Sequence, residues 1–262
     1  MTGMFSVVVA AFPVVVAAAF GAIVGSFLNV CIYRLPMRRS IVWPASACTR
    51  CGRPLAWYEN VPIASYIALR GRCRSCREPI SLRYPAVEAL TATMFALGWW
   101  LYGPGVLLAS RLIFGCALIV LFEIDREHQL LPHAVTLPGI AVGFAFSLFT
   151  EPGWQSSLIG ILVGGGSLLA VGYTYFWLRH EEGLGMGDFK MLAMIGAFLG
   201  WQLTLVTLMM ASLVGSIVGV LLIVTKRGGM KSALPFGTFL ALGAAAAATV
   251  GPRLLAWYLG QW

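Results

Sequence analysis

Charge is what this sequence lacks most. Asp, Glu, Lys and Arg make up 11% of its 262 residues, against about 25% in a soluble domain. Hydrophobic residues make up 59%, and the mean hydropathy is +0.85. Those values exclude a soluble globular fold and imply an integral membrane protein. Acids are scarcer than bases, 10 against 18, and the net charge is +8. That sign suits a nucleic-acid partner, but in a chain this apolar it marks cytoplasmic loops instead. The expected partner is the lipid bilayer, with no nucleic acid.

Other absences narrow the chemistry. No basic stretch precedes the first apolar run, about residues 4–33, and the run is too long for the apolar part of a cleavable signal. It reads as a retained transmembrane helix. No G-x-S-x-G motif offers a serine nucleophile. No nucleotide-binding fingerprint and no internal repeat is present, and the 30 glycines suit close helix packing in lipid. A transporter would show midplane charges and symmetry-related broken helices. Here the acids gather at one face, so a transporter or a scaffold ranks last.

Roughly 20 apolar residues span a bilayer as a helix. On that rule the expected spans are about 5–27, 86–102, 105–124, 134–150, 156–178, 189–200, 202–224 and 234–259. The sixth is short, and reads as a span beginning near Gly187 or as a tilted or half-inserted helix. The alanines at 244–248 suit tight helix contact. The expected fold is an all-α polytopic membrane protein with about eight transmembrane helices. The domains are a first helix at 1–33, a cytoplasmic cysteine domain at 34–85 and a seven-helix membrane core at 86–262.

Basic residues test the topology. Eight spans place ten arginines of the 34–84 loop and Arg126, Arg179, Lys190, Lys226, Arg227 and Lys231 on one side. Only Arg111 and Arg253 are left over. The rule of positive cytoplasmic loops then puts both termini outside and the large loop inside. It also puts Asp125 and Asp188 on the same face, at similar depth.

The large loop carries two CxxC pairs, Cys48–Cys51 and Cys73–Cys76. Four thiolates suit a tetrahedral zinc. The 21 residues between the pairs slightly exceed the usual zinc-ribbon spacing. Gly52 follows one pair and Gly71 precedes the other, as tight turns want. Reduced cytosolic thiols argue against disulfides. A loop of this size has little core, so a metal staple supplies what burial cannot. A redox or an empty pair is the other reading. Cys31 and Cys116 lie in apolar spans and read as small buried hydrophobes. Glu59 reads as a solvated acid; Glu88 reads as a snorkelling residue or the partner of an arginine.

The remaining signal is a pair of carboxylates at membrane helix ends, where acids are costly and usually functional. Asp188 follows a glycine-rich approach, Gly185-Met186-Gly187, which permits close backbone contact and positive φ. Asp125 sits among rivals, Glu123 and Glu127, with His128 and His133 nearby as solvated surface. Lys190 reads as a headgroup contact. Two carboxylates at hydrogen-bonding distance cannot both ionise easily, so the pair holds one proton and titrates as a unit. One member then takes a proton from water attacking a peptide carbonyl, and the other donates to the carbonyl oxygen.

These blocks, in this order, resemble the bacterial type IV prepilin peptidases, bifunctional leader peptidases and N-methyltransferases. The resemblance covers nearly the whole chain. It rests on Gly25-Ser26-Phe27-Leu28-Asn29-Val30 through Pro36, the two CxxC pairs, Tyr58-Glu59-Asn60 and Arg83-Tyr84-Pro85. It continues through Ile124-Asp125 with His128-Gln129-Leu130-Leu131-Pro132, then Gly185-Met186-Gly187-Asp188-Phe189-Lys190, similar to the GxGD signature of presenilin-like proteases. It ends at Pro235-Phe236-Gly237. One departure is His133 after Pro132, where many members have an acid or Asn.

The resemblance implies catalytic aspartates at Asp125 and Asp188 and a zinc-type site at Cys48, Cys51, Cys73 and Cys76. It implies a multi-pass protein of the bacterial inner membrane. Such an enzyme cuts the basic leader of type IV prepilins and type II secretion pseudopilins on the cytoplasmic side. It then methylates the new N-terminus with S-adenosylmethionine. No motif assigns the methyl-transfer residues. An intramembrane aspartyl protease of other substrates, without methyl transfer, is the alternative. Glu123, Glu127, Glu181 and Glu182 are expected to attract a basic leader.

Overall fold

The computed structural model describes residues 2–180, 185–225 and 234–260, with the backbone alone for 2–10. Among the described residues the chain is helical: α1 (Thr2–Arg34), α2 (Ala64–Ala68), α3 (Arg83–Tyr102), α4 (Val106–His128), α5 (His133–Ser147), α6 (Trp154–Arg179), α7 (Asp188–Val224) and α8 (Phe236–Tyr258). A 3-10 turn covers Trp57–Asn60, and isolated bridges join Ala47 to Pro54 and Arg72 to Pro79. Lys226, Arg227 and Lys231, used above for orientation, lie outside the described residues, as do Glu181 and Glu182.

Among the described residues five helices are long and apolar enough to cross a membrane: Ala11–Arg34 within α1, then α4, α6, α7 and α8. Helix α5 is apolar but has only 15 residues. The chain forms two compact units, residues 1–116 and 117–262, with α4 contributing to both.

In the first unit α1 and α3 cross through glycines. A Cβ on Gly21 would meet the Phe95 Cβ at 2.7 Å, and one on Gly25 would meet the Glu88 Cα at 2.8 Å. This four-residue spacing of small residues lets backbones approach in lipid, where dispersion and not water drives helix association. Buried Asn29 ties the pair, its amide donating to the Tyr84 carbonyl at 3.0 Å.

The second unit is built on α7, which is not one straight helix. Gly200 has φ 77° and ψ 171°, outside the helical region. A Cβ on Gly164 of α6 would touch both the Leu192 carbonyl oxygen, at 2.5 Å, and the Thr204 methyl, at 3.1 Å. Twelve residues of straight helix would separate those two by about 18 Å. The chain therefore doubles back at Gly200, with arms of 188–199 and 201–224. This is the break expected between the sixth and seventh spans. Only glycine takes that φ without opposition.

The first arm is the core. Every residue from Met191 to Gly200 is buried. It is walled by α5, where Gly139 and Gly143 face Met194 and Phe198, and by α6, where Gly160 and Gly196 meet backbone to backbone. The Ser157 hydroxyl donates to the Ala197 carbonyl at 2.8 Å. The second arm packs on α8, with Gly243 against the Thr207 carbonyl and Ala244 and Ala247 fully buried.

Candidate aspartyl site and cysteine cluster

Asp125 lies in the last turn of α4 and is buried. The helix stops just beyond it: Gln129 takes φ 52°, and its N–H donates to the Asp125 carbonyl at 2.8 Å. The Asp125 Oδ2 accepts the Thr238 backbone N–H at 2.6 Å and the Thr238 hydroxyl at 3.0 Å. Thr238 stands in the first turn of α8, after Pro235. Its N–H is one of the donors a helix start leaves without an internal partner. A carboxylate there also meets the positive end of the helix dipole. One acid thus caps a helix far along the chain, and that cap fixes the acid.

The neighbouring Gly237 makes the approach possible. A Cβ there would meet the Asp125 Cγ and Oδ2 and the Leu131 Cδ1, all at 3.0 Å. Sequence reading matched Pro235-Phe236-Gly237 only by resemblance, and missed Thr238. A threonine two residues into a helix that starts after proline was the available signal. Thr238 is a positioning residue. Thr238→Val keeps the N–H bond and deletes the hydroxyl. Its expected effect is a roughly tenfold fall in kcat with KM unchanged, and about 1 kcal/mol of stability, read by cleavage kinetics beside a melting curve.

Asp188 is the first residue of α7 and is also buried. Its backbone N–H donates to the Gly185 carbonyl at 3.1 Å. Of the two freedoms a glycine permits there, Gly187 does not use positive φ, since its φ is −80°. That glycine serves by size: a Cβ there would meet the Leu131 Cβ at 2.7 Å. Leu131 therefore touches both Gly187 and Gly237, and three separate sequence blocks converge on it. Asp125 lies within electrostatic reach of Asp188.

The rivals are placed differently. Glu123 pairs with Arg126 at 2.7 Å, one helical turn on. Glu127 and His128 are exposed. His133 is exposed, its Nε2 3.4 Å from the Lys190 ammonium, which lies over the Phe189 ring.

In the first unit the four sulfurs of Cys48, Cys51, Cys73 and Cys76 lie within 4.8 Å of one another, and Cys48 Sγ is 3.8 Å from Cys76 Sγ. A tetrahedral ion with Zn–S bonds of about 2.3 Å separates its sulfurs by about 3.8 Å. The cluster fits a closed four-thiolate metal site. The two turns repeat one pattern. Gly52 N–H bonds the Cys48 carbonyl and Arg77 N–H the Cys73 carbonyl; Cys48 N–H bonds Arg53 and Cys73 N–H bonds Glu78. The backbone N–H groups of Cys76 and Ser75 pull the Cys73 thiol down to about 6. At Cys76 the Glu78 N–H is outweighed by burial and the neighbouring sulfurs, which push that thiol up to about 11. In the metal-free cluster one thiol therefore ionises readily and another holds its proton.

Gly52, at φ 70°, has its counterpart in Arg77, at φ 59°. Gly71, expected at a tight turn before the second pair, takes φ 66° there, its N–H donating to the Tyr66 carbonyl at 2.9 Å. Glu59 is a correction. It is buried, accepts the Ala56 N–H at 2.9 Å and binds Arg53 at 2.6 Å. The Ala56 N–H and then the Arg53 guanidinium hold its carboxyl below the usual range. Glu88 is buried as well, and accepts the Ile63 N–H at 2.7 Å. Each acid pins the loop locally. Cys31 is buried and Cys116 half-buried, as small hydrophobes would be.

The model for the bacterial peptidase A24 N-terminal domain matches residues 19–102, and that for the type IV leader peptidase family matches residues 112–220. Three relatives bear the name prepilin leader peptidase/N-methyltransferase. That of Pseudomonas putida is 38% identical over 88% of this chain and 88% of its own length. That of Myxococcus xanthus is 42% identical over 81% and 64%. That of Pseudomonas aeruginosa is 36% identical over 91% of each. No solved structure matches.

Proposed function

This chain belongs to the type IV leader peptidase family, and we propose that Asp125 and Asp188 together activate the water that does its cutting. The chain is a prepilin leader peptidase and N-methyltransferase. The observation that carries the assignment of residues is the convergence of two buried acids, from α4 and α7, around Leu131.

The geometry suggests a division of labour within the pair. The Asp125 Oδ2 already accepts two hydrogen bonds, which leaves Oδ1 for water or for the shared proton. One carboxylate draws a proton from water as the oxygen attacks the scissile carbonyl. The other gives its proton to the carbonyl oxygen. Collapse of the tetrahedral adduct breaks the C–N bond; the leaving amine takes the proton that water lost, and the proton lent to the carbonyl oxygen returns to the acid that gave it as the new carboxyl group forms.

Zinc held by Cys48, Cys51, Cys73 and Cys76 would be structural, since four thiolates leave no open position for a reactant. S-adenosylmethionine supplies the methyl group for the second reaction. Prepilins and type II secretion pseudopilins, with basic leaders, are the substrates this reading names. The large loop and both aspartates would face the cytoplasm, with both chain ends outside. The proposed domains remain the first helix at 1–33, the cysteine domain at 34–85 and the membrane core at 86–262.

The test is mass spectrometry of a prepilin incubated with membranes carrying this chain, with and without S-adenosylmethionine. Leader loss in both samples, and one added methyl group only with the donor, is expected. Cutting without methylation in either sample would select the protease-only alternative. An uncut prepilin would contradict the reading.

A further inference from the structure

A cavity of about 580 Å³ opens on the cysteine domain, lined by Ala68, Leu69, Cys73 and four arginines: Arg70, Arg72, Arg74 and Arg77. None of its lining residues is acidic. The wider loop does not neutralise it. Its ten arginines at 34–84 meet only two glutamates, Glu59 and Glu78, and Glu59 is already engaged by Arg53. A zinc tetrathiolate would add about two negative charges, and the loop would stay strongly positive. Arg74 is held in place, donating to the Tyr58 hydroxyl with its guanidinium 5.6 Å from the ring centre.

The backbone adds an independent observation. Arg70 and Arg77 both occupy the left-handed region, at φ 53° and φ 59°. A side chain opposes that conformation, and glycine does not. The first cysteine turn uses Gly52 at the position matching Arg77. Membrane topology needs arginines somewhere in the loop. It does not need them at the two strained positions that border this cavity.

We propose that the cavity binds a phosphate group, carried either by an acidic phospholipid of the surrounding membrane or by a soluble phosphate ester. Planar guanidinium forks match phosphate oxygens in pairs, and several around one cavity favour a multiply bonded anion. The methyl donor does not fit: S-adenosylmethionine bears a sulfonium and an ammonium against one carboxylate. The proposal is independent of the aspartyl reading.

The experiment uses the full chain in neutral detergent with its metal content measured. It is titrated with dihexanoylphosphatidylglycerol, with inorganic phosphate and with dihexanoylphosphatidylcholine, followed by phosphorus NMR line broadening. Binding of the first or second but not the third is expected. Phosphatidylglycerol alone would identify a lipid; equal binding of inorganic phosphate would show that the free group suffices. The double variant R70G/R77G gives each left-handed position the residue that suits it, and should bind about tenfold more weakly or worse with metal content unchanged. R72Q/R74Q leaves both turns alone and should weaken binding likewise. Wild-type protein that binds neither anion, equal binding of phosphatidylcholine, or two variants that bind as tightly as wild type would overturn the proposal.

Discussion

Asp125→Asn and Asp188→Asn each lower prepilin cleavage by about three orders of magnitude or more, a loss typical of removing a group that acts in the transition state. The fold should survive both changes. An Asn carbonyl oxygen at position 125 can still accept the two Thr238 donors that Oδ2 accepts now. At position 188 the backbone N–H bond to Gly185 does not involve the side chain. Melting temperature and membrane level therefore stay near wild type while cleavage is lost. Methylation of a pre-cut substrate is the companion assay. It stays intact in both variants if the aspartates serve cleavage alone.

Removing the metal has the other large effect, on structure. Between residues 35 and 82 only Glu59 and Cys73 are buried, so no hydrophobic core holds this loop. Zinc contributes about 10–16 kcal/mol to comparable thiolate domains at neutral pH, more than the whole stability of many small folds. Cys48→Ser, or chelation of wild-type protein, should abolish metal retention. It should also open the loop arginines to trypsin within the time that leaves 117–262 uncut. The comparison is limited proteolysis with metal analysis. A metal-free loop as resistant as the loaded one would show that the cysteines are not its staple.

Much of this molecule could be read from its residues. The chain has only two aspartates, and both stood out because acids are costly at membrane helix ends. The four loop cysteines were legible because CxxC spacing is local. The break at Gly200 falls where the sequence divides into two apolar runs, 189–200 and 202–224. What escaped reading is non-local. Nothing in the sequence couples Asp125 to Thr238, which lies 113 residues away. Leu131 entered only as one residue of a resembling block, yet it meets both Gly187 and Gly237. Gly187 was legible as a place of close contact, which is the property that requires it, but the residue it meets was not. Glu59 looked solvated because its partner Arg53 and the Ala56 N–H close around it only in the folded loop.

The central claim is that the two aspartates work as one unit. It is tested most directly by prepilin cleavage rates for Asp125→Asn, Asp188→Asn and the double variant, at matched protein levels. Groups that act together are grossly non-additive. The account predicts that each single variant loses nearly all activity and that the double variant is no worse than either. A single variant that cuts at the wild-type rate would make that aspartate structural and turn attention to Glu123 and Glu127. Losses that multiply in the double variant would contradict a shared proton and a shared water.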